Sequence, residues 1–208
     1  AGKPAPAAAR ERRTKREHLR AKREVVGNRP PPPTIGTAAD DQVTALPGLT
    51  FQFTPNQYSG YLDVGTGNYL HYWLVEHDSG MPDDKPLIIW LNGGPGCSSL
   101  NGLMTELGPF LNNLDGETLF ENVYSWHKVA NILFLESPRD VGFSYRANNV
   151  FADDDYSDAK TATDNVEAVR QFLLKFPQYA GREFYIMGES YGGVYVPTFT
   201  EAIIPQIQ

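Results

Sequence analysis

Cysteine and long hydrophobic runs are nearly absent from this sequence, and each absence excludes a class of protein. Cys97 is the one cysteine among 208 residues, so the chain cannot close a disulfide bond on itself. Apolar runs such as Leu87–Leu91 are far shorter than the roughly 20 residues that cross a bilayer, so no membrane span is predicted. The first 29 residues also lack the apolar core of a secretory signal peptide, since their longest apolar run is Ala7 to Ala9.

Charge divides the chain into two parts. Residues 1–29 hold ten of the eighteen Lys and Arg residues against three Glu, whereas residues 30–208 hold eight basic and twenty-two acidic residues. The four prolines at 30–33 are expected to form a stiff polyproline spacer. We therefore predict a basic, proline-rich, disordered leader over residues 1–39 and a separate domain over residues 40–208.

The predicted leader contains three pairs of basic residues, and these leave several roles open. The pairs, which could be sites where a leader is cleaved, are Arg12-Arg13, Lys15-Arg16 and Lys22-Arg23. A basic arm can also contact nucleic acid or an anionic surface. A solvated tail is the interpretation that we favour, and no nucleic-acid partner is predicted.

Hydrophobic patterns from residue 57 onward predict strands that alternate with helices. A hairpin rich in tyrosine and other β-prone residues comes first, with Gly65-Thr66-Gly67 as its turn. Continuous apolar runs after it are typical of strands buried on both faces. Such an order predicts an α/β fold with a largely parallel sheet. The predicted strands are residues 57–63, 68–76, 87–91, 129–135 and 183–187, with a helix over residues 98–107.

The clearest helical pattern lies between residues 156 and 176. Five apolar residues recur there at alternating spacings of four and three, which makes one apolar stripe: Ala162, Val166, Val169, Leu173 and Phe176. Pro177 is expected to end this helix because proline lacks the backbone N–H and clashes with the preceding turn. Another helix is predicted from about Gly193.

The last predicted strand leads into a Gly-x-Ser-x-Gly sequence, residues 188–192, directly before that last helix. In such an elbow the serine occupies a strained turn, and glycines two positions away avoid collisions with neighbouring backbone. The turn presents the Ser190 hydroxyl at the end of the sheet, and the amide of Tyr191 points at a developing oxyanion. Ser190 is therefore the candidate nucleophile.

A glycine-rich segment, Asn-Gly-Gly-Pro-Gly-Cys at residues 92–97, follows the predicted strand at residues 87–91. Bare backbone amides in such a loop approach a ligand closely, so this segment is suited to supply the second half of an oxyanion hole. Taken alone, it could equally be a tight turn without function. Beside a serine elbow in the same chain, the functional interpretation is favoured.

With these segments the sequence resembles the serine carboxypeptidase family. The resemblance covers residues 40–208, and its blocks are residues 49–76 with Gln-Tyr-Ser-Gly-Tyr-Leu, 90–100, 122–145 with Glu-Ser-Pro and Val-Gly-Phe-Ser-Tyr, and 188–197. It implies an α/β-hydrolase fold, here with the N-terminal strands, the nucleophile elbow and the following helix only. It also implies an enzyme that removes single residues from the free C-termini of peptides and proteins, without cofactor or metal.

The resemblance assigns roles to the residues at matching positions. They are nucleophile for Ser190, oxyanion binding for the amides of Gly94 and Tyr191, binding of the substrate's terminal carboxylate for Asn92, Gly93, Glu106 and Glu189, and a disulfide to an absent segment for Cys97. Trp90 belongs to the same loop, but a core aromatic is the simpler interpretation of it.

Two carboxylates that bind a carboxylate require a physical reason. If Glu106 and Glu189 lie close together, mutual repulsion and partial burial raise the pKa of the pair, so that in acid they share a proton and donate a hydrogen bond. Binding of substrate should then weaken toward neutral pH. We expect an enzyme of a lysosomal, vacuolar or secreted location. Without the resemblance, Glu106 would be interpreted as a solvated helix residue.

One segment departs from the family pattern. Arg139-Asp140 follow Glu-Ser-Pro, where family members commonly carry small residues. The pair is expected to form an exposed salt bridge in a turn, which contributes little to stability. Alternatively it reshapes a substrate pocket, so the preferred side chains on either side of the cleaved bond are left open.

The family orders its catalytic triad as Ser, Asp and His, and neither later member follows Ser190 in this sequence. His71, His77 and His127 precede it and are interpreted as structural histidines. A serine without its base loses on the order of a millionfold in kcat, so we expect the chain alone to be inactive. A second polypeptide or a missing C-terminal half is expected to complete the domain and to cover the strand at residues 183–187.

Two other functions are kept as alternatives. One is a binding or protective protein on the same fold, in which Ser190 has no catalytic role. The other is an acyltransferase that passes the acyl group to an alcohol instead of water. Reactivity of Ser190 with a fluorophosphonate distinguishes the first alternative, and product analysis with an acceptor alcohol distinguishes the second.

Overall fold

A computed structural model describes residues 31–78, 85–146 and 156–207. Most of the predicted leader, residues 1–30, lies outside these ranges, and residues 31–37 have no regular structure. Eight strands and two α-helices occur in the described residues: β1 Gln57–Asp63, β2 Asn68–Val75, β3 Leu87–Leu91, β4 Phe110–Asn112, β5 Leu119–Glu121, β6 Asn131–Leu135, β7 Tyr145–Arg146, α1 Asp158–Lys175, β8 Phe184–Gly188 and α2 Gly192–Ile203. Single helical turns lie at Gly102–Glu106, Trp126–Lys128, Pro177–Tyr179 and Ile204–Gln206.

Six of these strands form one mixed sheet in the order β1-β2-β6-β3-β8, with β7 paired to β2, while β4 and β5 form a separate hairpin. Only β6, β3 and β8 run parallel, whereas β1, β6 and β7 are antiparallel to β2. The prediction of a largely parallel sheet was therefore wrong. It failed because the hairpin strand β2 pairs directly with β6, for example at Tyr72 opposite Leu135.

The sheet separates two hydrophobic cores, because successive side chains of a strand point to opposite faces. On β3, Ile89 belongs to the core beneath α1 and α2, where it shares a cluster with Phe172 and Phe199. Trp90, the next residue, belongs to the core on the other face, together with Phe110 of β4. Burial on both faces accounts for the continuous apolar sequences of β3 and β6.

Helix α1 agrees with the predicted stripe. It begins where the Ser157 hydroxyl accepts a hydrogen bond from the Lys160 amide at 3.2 Å, and it ends two residues before Pro177. Ala162, Val166, Val169 and Phe176 of the stripe are buried, and Leu173 packs against the same core. The periodic burial of one face therefore fixes how this helix lies on the sheet.

Strand β8 lies at one edge of the sheet, and its outer side is unpaired within the described residues. Tyr185 in this strand is 46% exposed, in contrast to the fully buried β3 beside it. None of the helices in the described ranges is both long enough and apolar enough to cross a bilayer.

Candidate active site

Ser190 occupies a strained turn between β8 and α2, and it is exposed. Its φ angle of 54° lies in the left-handed region, which a residue with a side chain rarely adopts. A Cβ added at Gly188 would lie 2.6 Å from the Leu91 carbonyl oxygen, and one at Gly192 would lie 3.2 Å from the same atom. Gly188 is therefore needed because the end of β3 lies directly against the elbow, and Gly192 is in tight contact with the same carbonyl oxygen.

The glycine-rich loop, residues 92–97, follows β3 and contacts the elbow. The parallel register places Leu91 opposite Gly188, so the chain leaves β3 and β8 at the same end of the sheet. A Cβ added at Gly93 would lie 2.5 Å from the Tyr191 amide nitrogen and 2.9 Å from Ser190 Cβ. Only glycine at position 93 allows so close an approach of the two segments.

Gly94, the predicted oxyanion donor of the glycine-rich loop, adopts a conformation reserved for glycine. Its φ angle is 110°, and a Cβ there would lie 2.8 Å from the amide nitrogens of Gly96 and Cys97. The loop is closed by a hydrogen bond from the Cys97 amide to the Gly93 carbonyl at 3.0 Å. Cys97 itself is exposed and forms no disulfide within the described residues.

Asn92 brings the two predicted carboxylates together. Its side-chain amide nitrogen lies 3.0 Å from Glu189 Oε1, and 3.3 and 3.4 Å from the two carboxylate oxygens of Glu106. Its side-chain oxygen accepts hydrogen bonds from Trp90 Nε1 at 2.7 Å and from the Gly102 amide at 3.1 Å. Asn92 is 2% exposed, so this arrangement fixes its orientation.

Burial raises the pKa of Glu106, and the negative charge of Glu189 raises that pKa further, while the hydrogen bond from Asn92 lowers it. Glu106 ends a single π-helical turn, in which the Leu107 amide bonds to the Gly102 carbonyl at 2.9 Å. The helix predicted over residues 98–107 is thus shorter than expected. The turn aims the Glu106 carboxylate at Asn92.

Trp90 is buried, as predicted, and contacts Trp126 edge to face with ring centroids 5.6 Å apart. Trp90 also has a second role that was not predicted from the sequence: its indole nitrogen donates a hydrogen bond to Asn92 and orients that side-chain amide. A tryptophan and an asparagine two residues apart at the end of a strand point to the same face, which was the available signal.

His71, His77 and His127 form hydrogen bonds to groups other than Ser190, as expected of structural histidines. His71 Nδ1 lies 2.9 Å from the Glu136 carboxylate, and His77 Nε2 lies 2.9 Å from the Lys128 carbonyl oxygen. His127 Nδ1 lies 2.8 Å from the Ser125 hydroxyl, and burial lowers the pKa of His127.

The expectation of an exposed salt bridge at Arg139-Asp140 was wrong. Arg139 is 5% exposed and donates to Asp164 of α1, with Nε to Oδ2 at 2.6 Å and Nη2 to Oδ1 at 3.0 Å. Asp164 is equally buried and was interpreted only as part of the helix. Asp140, with a φ angle of 65°, accepts a hydrogen bond from the Tyr156 hydroxyl at 3.0 Å.

A cleft of about 480 Å³ opens beside the elbow. The glycine-rich loop, the segment after β6 and the first turns of α1 and α2 form its walls, which include Pro95, Gly96, Asp140, Asp158 and Tyr191. The Tyr191 hydroxyl donates to the Asp158 carboxylate at 3.2 Å. In the described part of the chain, no group of three or more His, Cys, Asp or Glu side chains is arranged to hold a metal ion.

A model of the serine carboxypeptidase family matches residues 47–208 of this sequence. The chain belongs to the serine carboxypeptidase family. Among curated relatives of this family, the serine carboxypeptidase ctsa-4.1 of Caenorhabditis elegans is 51% identical over 173 residues, which cover 82% of this chain. The lysosomal protective protein of Mus musculus is 44% identical over 164 residues, which cover 79% of it.

A solved structure supports the same family assignment. The prohormone-processing carboxypeptidase of Saccharomyces cerevisiae superimposes with a TM-score of 0.70 at 30% identity, over 83% of this chain and 40% of that chain. The fold of this serine carboxypeptidase chain is therefore part of an α/β-hydrolase domain. The chain spans about a third of the length of the curated relatives it matches, at 35% and 34% of the two described above.

Proposed function

We propose that this chain carries the nucleophile and the substrate-carboxylate site of a serine-type carboxypeptidase. Its substrates would be peptides and proteins with a free C-terminus. The observation that carries the proposal is the side-chain amide of Asn92, which holds the carboxylates of Glu106 and Glu189 beside the Ser190 elbow. Such a site is suited to bind the terminal carboxylate that distinguishes the end of a peptide from its interior.

The chemistry follows from the elbow. The Ser190 hydroxyl attacks the last peptide carbonyl, its proton passes to a general base, and the carbonyl oxygen becomes an oxyanion. The amides of Gly94 and Tyr191 donate hydrogen bonds to that oxygen as its charge develops. The C-terminal amino acid leaves with the proton on its amine, and water then hydrolyses the acyl-enzyme.

The terminal carboxylate binds to Asn92 and Gly93 and to the proton of Glu106, whose carboxylate lies with that of Glu189 at the Asn92 amide. Burial and the charge of Glu189 raise the pKa of Glu106, which supports a protonated donor in acid. This favours an acidic, lysosomal or vacuolar compartment, or a secreted enzyme. The mouse relative carries the word lysosomal in its name, which is consistent with the first location.

The triad's aspartate and histidine are assigned to a segment outside these 208 residues, either a second chain or a continuation of this one. The contacts of His71, His77 and His127 away from Ser190 support this assignment. The same segment would cover the open edge of β8 and supply a cysteine for Cys97. The 208-residue chain alone is then expected to have no measurable peptidase activity.

The test compares two versions of one peptide, with a free and with an amidated C-terminus, incubated with the complete enzyme. Release of the last amino acid from the free form only, and its loss in the Ser190→Ala variant, are expected. Cleavage of both forms at equal rates would refute a carboxylate site. An ester product in the presence of an acceptor alcohol, without hydrolysis in its absence, would identify an acyltransferase, and no turnover of any substrate would favour a binding protein.

A further inference from the structure

Glu136 is a completely buried carboxylate that the chemistry above does not use. It follows β6 directly, and its exposed fraction is 0%. Three separate segments donate hydrogen bonds to it: His71 Nδ1 of β2 at 2.9 Å, the Phe143 amide at 2.8 Å, and the Ser98 hydroxyl. A buried carboxylate is costly unless such partners satisfy it, so these contacts fix its position.

The Glu136 carboxylate is closely surrounded by other groups. His71 is 5% exposed, its Nε2 lies 2.9 Å from the Ser59 hydroxyl, and its ring contacts those of Tyr61 and Phe143 with centroids 5.4 Å from each. Gly142 approaches the carboxylate so closely that a Cβ would collide with it. The Glu136 carboxylate, which accepts the hydrogen bond from Ser98, is therefore held in a defined position.

Ser98 is the residue that follows the glycine-rich loop. The next residue, Ser99, accepts a hydrogen bond from the backbone amide of Asn92 at 3.1 Å and donates one to the Leu135 carbonyl at 2.7 Å. The C-terminal end of the loop is thus attached to two consecutive residues at the end of β6, and its N-terminal end is attached to Ser99. Between these anchors the chain contains three glycines, at 93, 94 and 96, which by themselves restrain the backbone least.

We infer that Glu136 is a positioning residue, which acts through Ser98 to hold the Gly94 amide where the oxyanion develops. The inference rests on the proposed function and extends it to a residue that touches neither substrate nor nucleophile. An oxyanion donor is effective only when its distance to the developing charge is fixed, so a loose loop loses transition-state stabilisation.

The carboxylate site is held mainly by contacts other than this anchor, because Gly93 lies within the loop but packs against the elbow. Asn92 is oriented by Trp90, by the Gly102 amide and by Ser99, none of which contacts Glu136 in the hydrogen bonds described. Release of Ser98 should therefore lower kcat while the KM for peptides stays nearly constant. A general loss of folded structure also lowers the apparent kcat at constant KM, so kcat is calculated per active site, counted by fluorophosphonate labelling.

The test uses the complete enzyme and the variants Ser98→Ala, Ser98→Thr and Ser144→Ala. Ser144 is the matched control, because its buried hydroxyl donates to the Glu136 carbonyl at 2.6 Å and accepts from the His71 amide at 2.8 Å, but does not contact the loop. Ser98→Ala is expected to lower kcat about 10- to 100-fold, somewhat less than removal of an oxyanion donor, with KM within about twofold. Ser98→Thr keeps the hydroxyl and should retain most of the activity.

The outcomes are distinguishable. Glu136→Gln should reproduce the kcat loss if it folds, and Ser98→Ala tests the same link without disturbing the buried carboxylate. A kcat for Ser98→Ala equal to that of the wild type, or a Ser144→Ala loss as large as the Ser98→Ala loss, would overturn the inference. An inactive wild-type enzyme would instead refute the proposed function on which it rests.

Discussion

The side-chain nitrogen of Asn92 lies 3.0 Å from Oε1 of Glu189, although 97 positions separate the two residues in the sequence. The two strands that precede them, β3 and β8, are parallel neighbours, and this pairing creates the contact. The same nitrogen also contacts the Glu106 carboxylate, so one buried amide binds both acidic groups of the site. The protonation of that site is the basis of the first prediction.

We predict that the KM for peptides with a free C-terminus rises as pH increases. Burial and the charge of Glu189 raise the pKa of Glu106, so its carboxyl keeps its proton to a higher pH than usual and loses it above that pKa. KM should then increase by up to about tenfold per pH unit above the raised pKa, the limit for one proton. Steady-state kinetics between about pH 5 and pH 8 measure this change.

The variant Glu106→Gln isolates the titration, because glutamine donates a hydrogen bond at every pH. Its KM is expected to vary much less with pH than that of the wild type. Glu117→Gln, which changes an exposed glutamate between β4 and β5, is the matched control and should keep the wild-type profile. A KM that stays flat from acid to neutral pH in the wild type would contradict the explanation by protonation of Glu106.

We predict that Gly93→Ala abolishes most activity without unfolding the protein. The added methyl group would lie 2.5 Å from the Tyr191 amide nitrogen and 2.7 Å from the Glu189 carbonyl oxygen, so the loop and the elbow must separate. We expect a loss in kcat/KM of about 100-fold or more, as for a lost oxyanion donor. Gly193→Ala is the control, because no atom lies within 4 Å of the added methyl group. Equal activity of both variants would show that close contact at Gly93 is not required.

Loss of the buried ion pair between Arg139 and Asp164 should destabilise the fold. Arg139→Met leaves the Asp164 carboxylate buried, and removal of one partner of such a pair costs about 3–5 kcal/mol. Because Lys160 Nζ lies 3.2 Å from Asp164 and still offsets part of its charge, the expected loss of stability lies near the lower end of that range. The double variant Arg139→Met/Asp164→Leu should recover much of it.

Urea unfolding measures these differences. Arg170→Met breaks an exposed pair with Glu167 on the same helix, and its unfolding midpoint should match that of the wild type. If Arg139→Met also unfolds at the wild-type midpoint, the buried pair does not contribute to stability.

His127 should make the stability of the fold depend on pH. Because burial lowers the pKa of His127, the unfolded chain binds this proton more tightly than the folded one. The resulting contribution is present above the unfolded pKa of about 6.5 and is lost as pH falls through the lower folded value. His127→Gln should reduce the slope of unfolding free energy against pH in this window, and an unchanged slope would assign it to other groups.

The sequence predicted the strands well where burial dictates the pattern. β1 and β3 have the predicted bounds, and α1 lies within two residues of its predicted ends, because continuous or periodic apolar residues leave few alternatives. The pairing of β2 with β6 was not predicted, because the sequence of a strand does not determine which other strand it pairs with. The burial of Arg139 was not predicted either, because its partner Asp164 lies 25 positions away and has the sequence pattern of an ordinary helix residue.

The candidate site was predicted mainly from motifs, and its supporting residues were not. Gly-x-Ser-x-Gly and the glycine-rich loop require particular backbone conformations, which the φ angles of Ser190 and Gly94 display. Glu136 and Ser98 belong to the quoted motifs but were given no role, because a glutamate at the end of an apolar strand becomes informative only when its three hydrogen-bond donors are known.

The most direct measurement is the site and rate of fluorophosphonate labelling in the complete enzyme, determined by mass spectrometry of the peptide that contains residue 190. The label should be found on Ser190, in parallel with loss of peptide hydrolysis, and should be absent in Ser190→Ala. Complete hydrolytic activity after treatment with excess reagent, or a label on another residue that accounts for the inactivation, would contradict the assignment of Ser190 as the nucleophile.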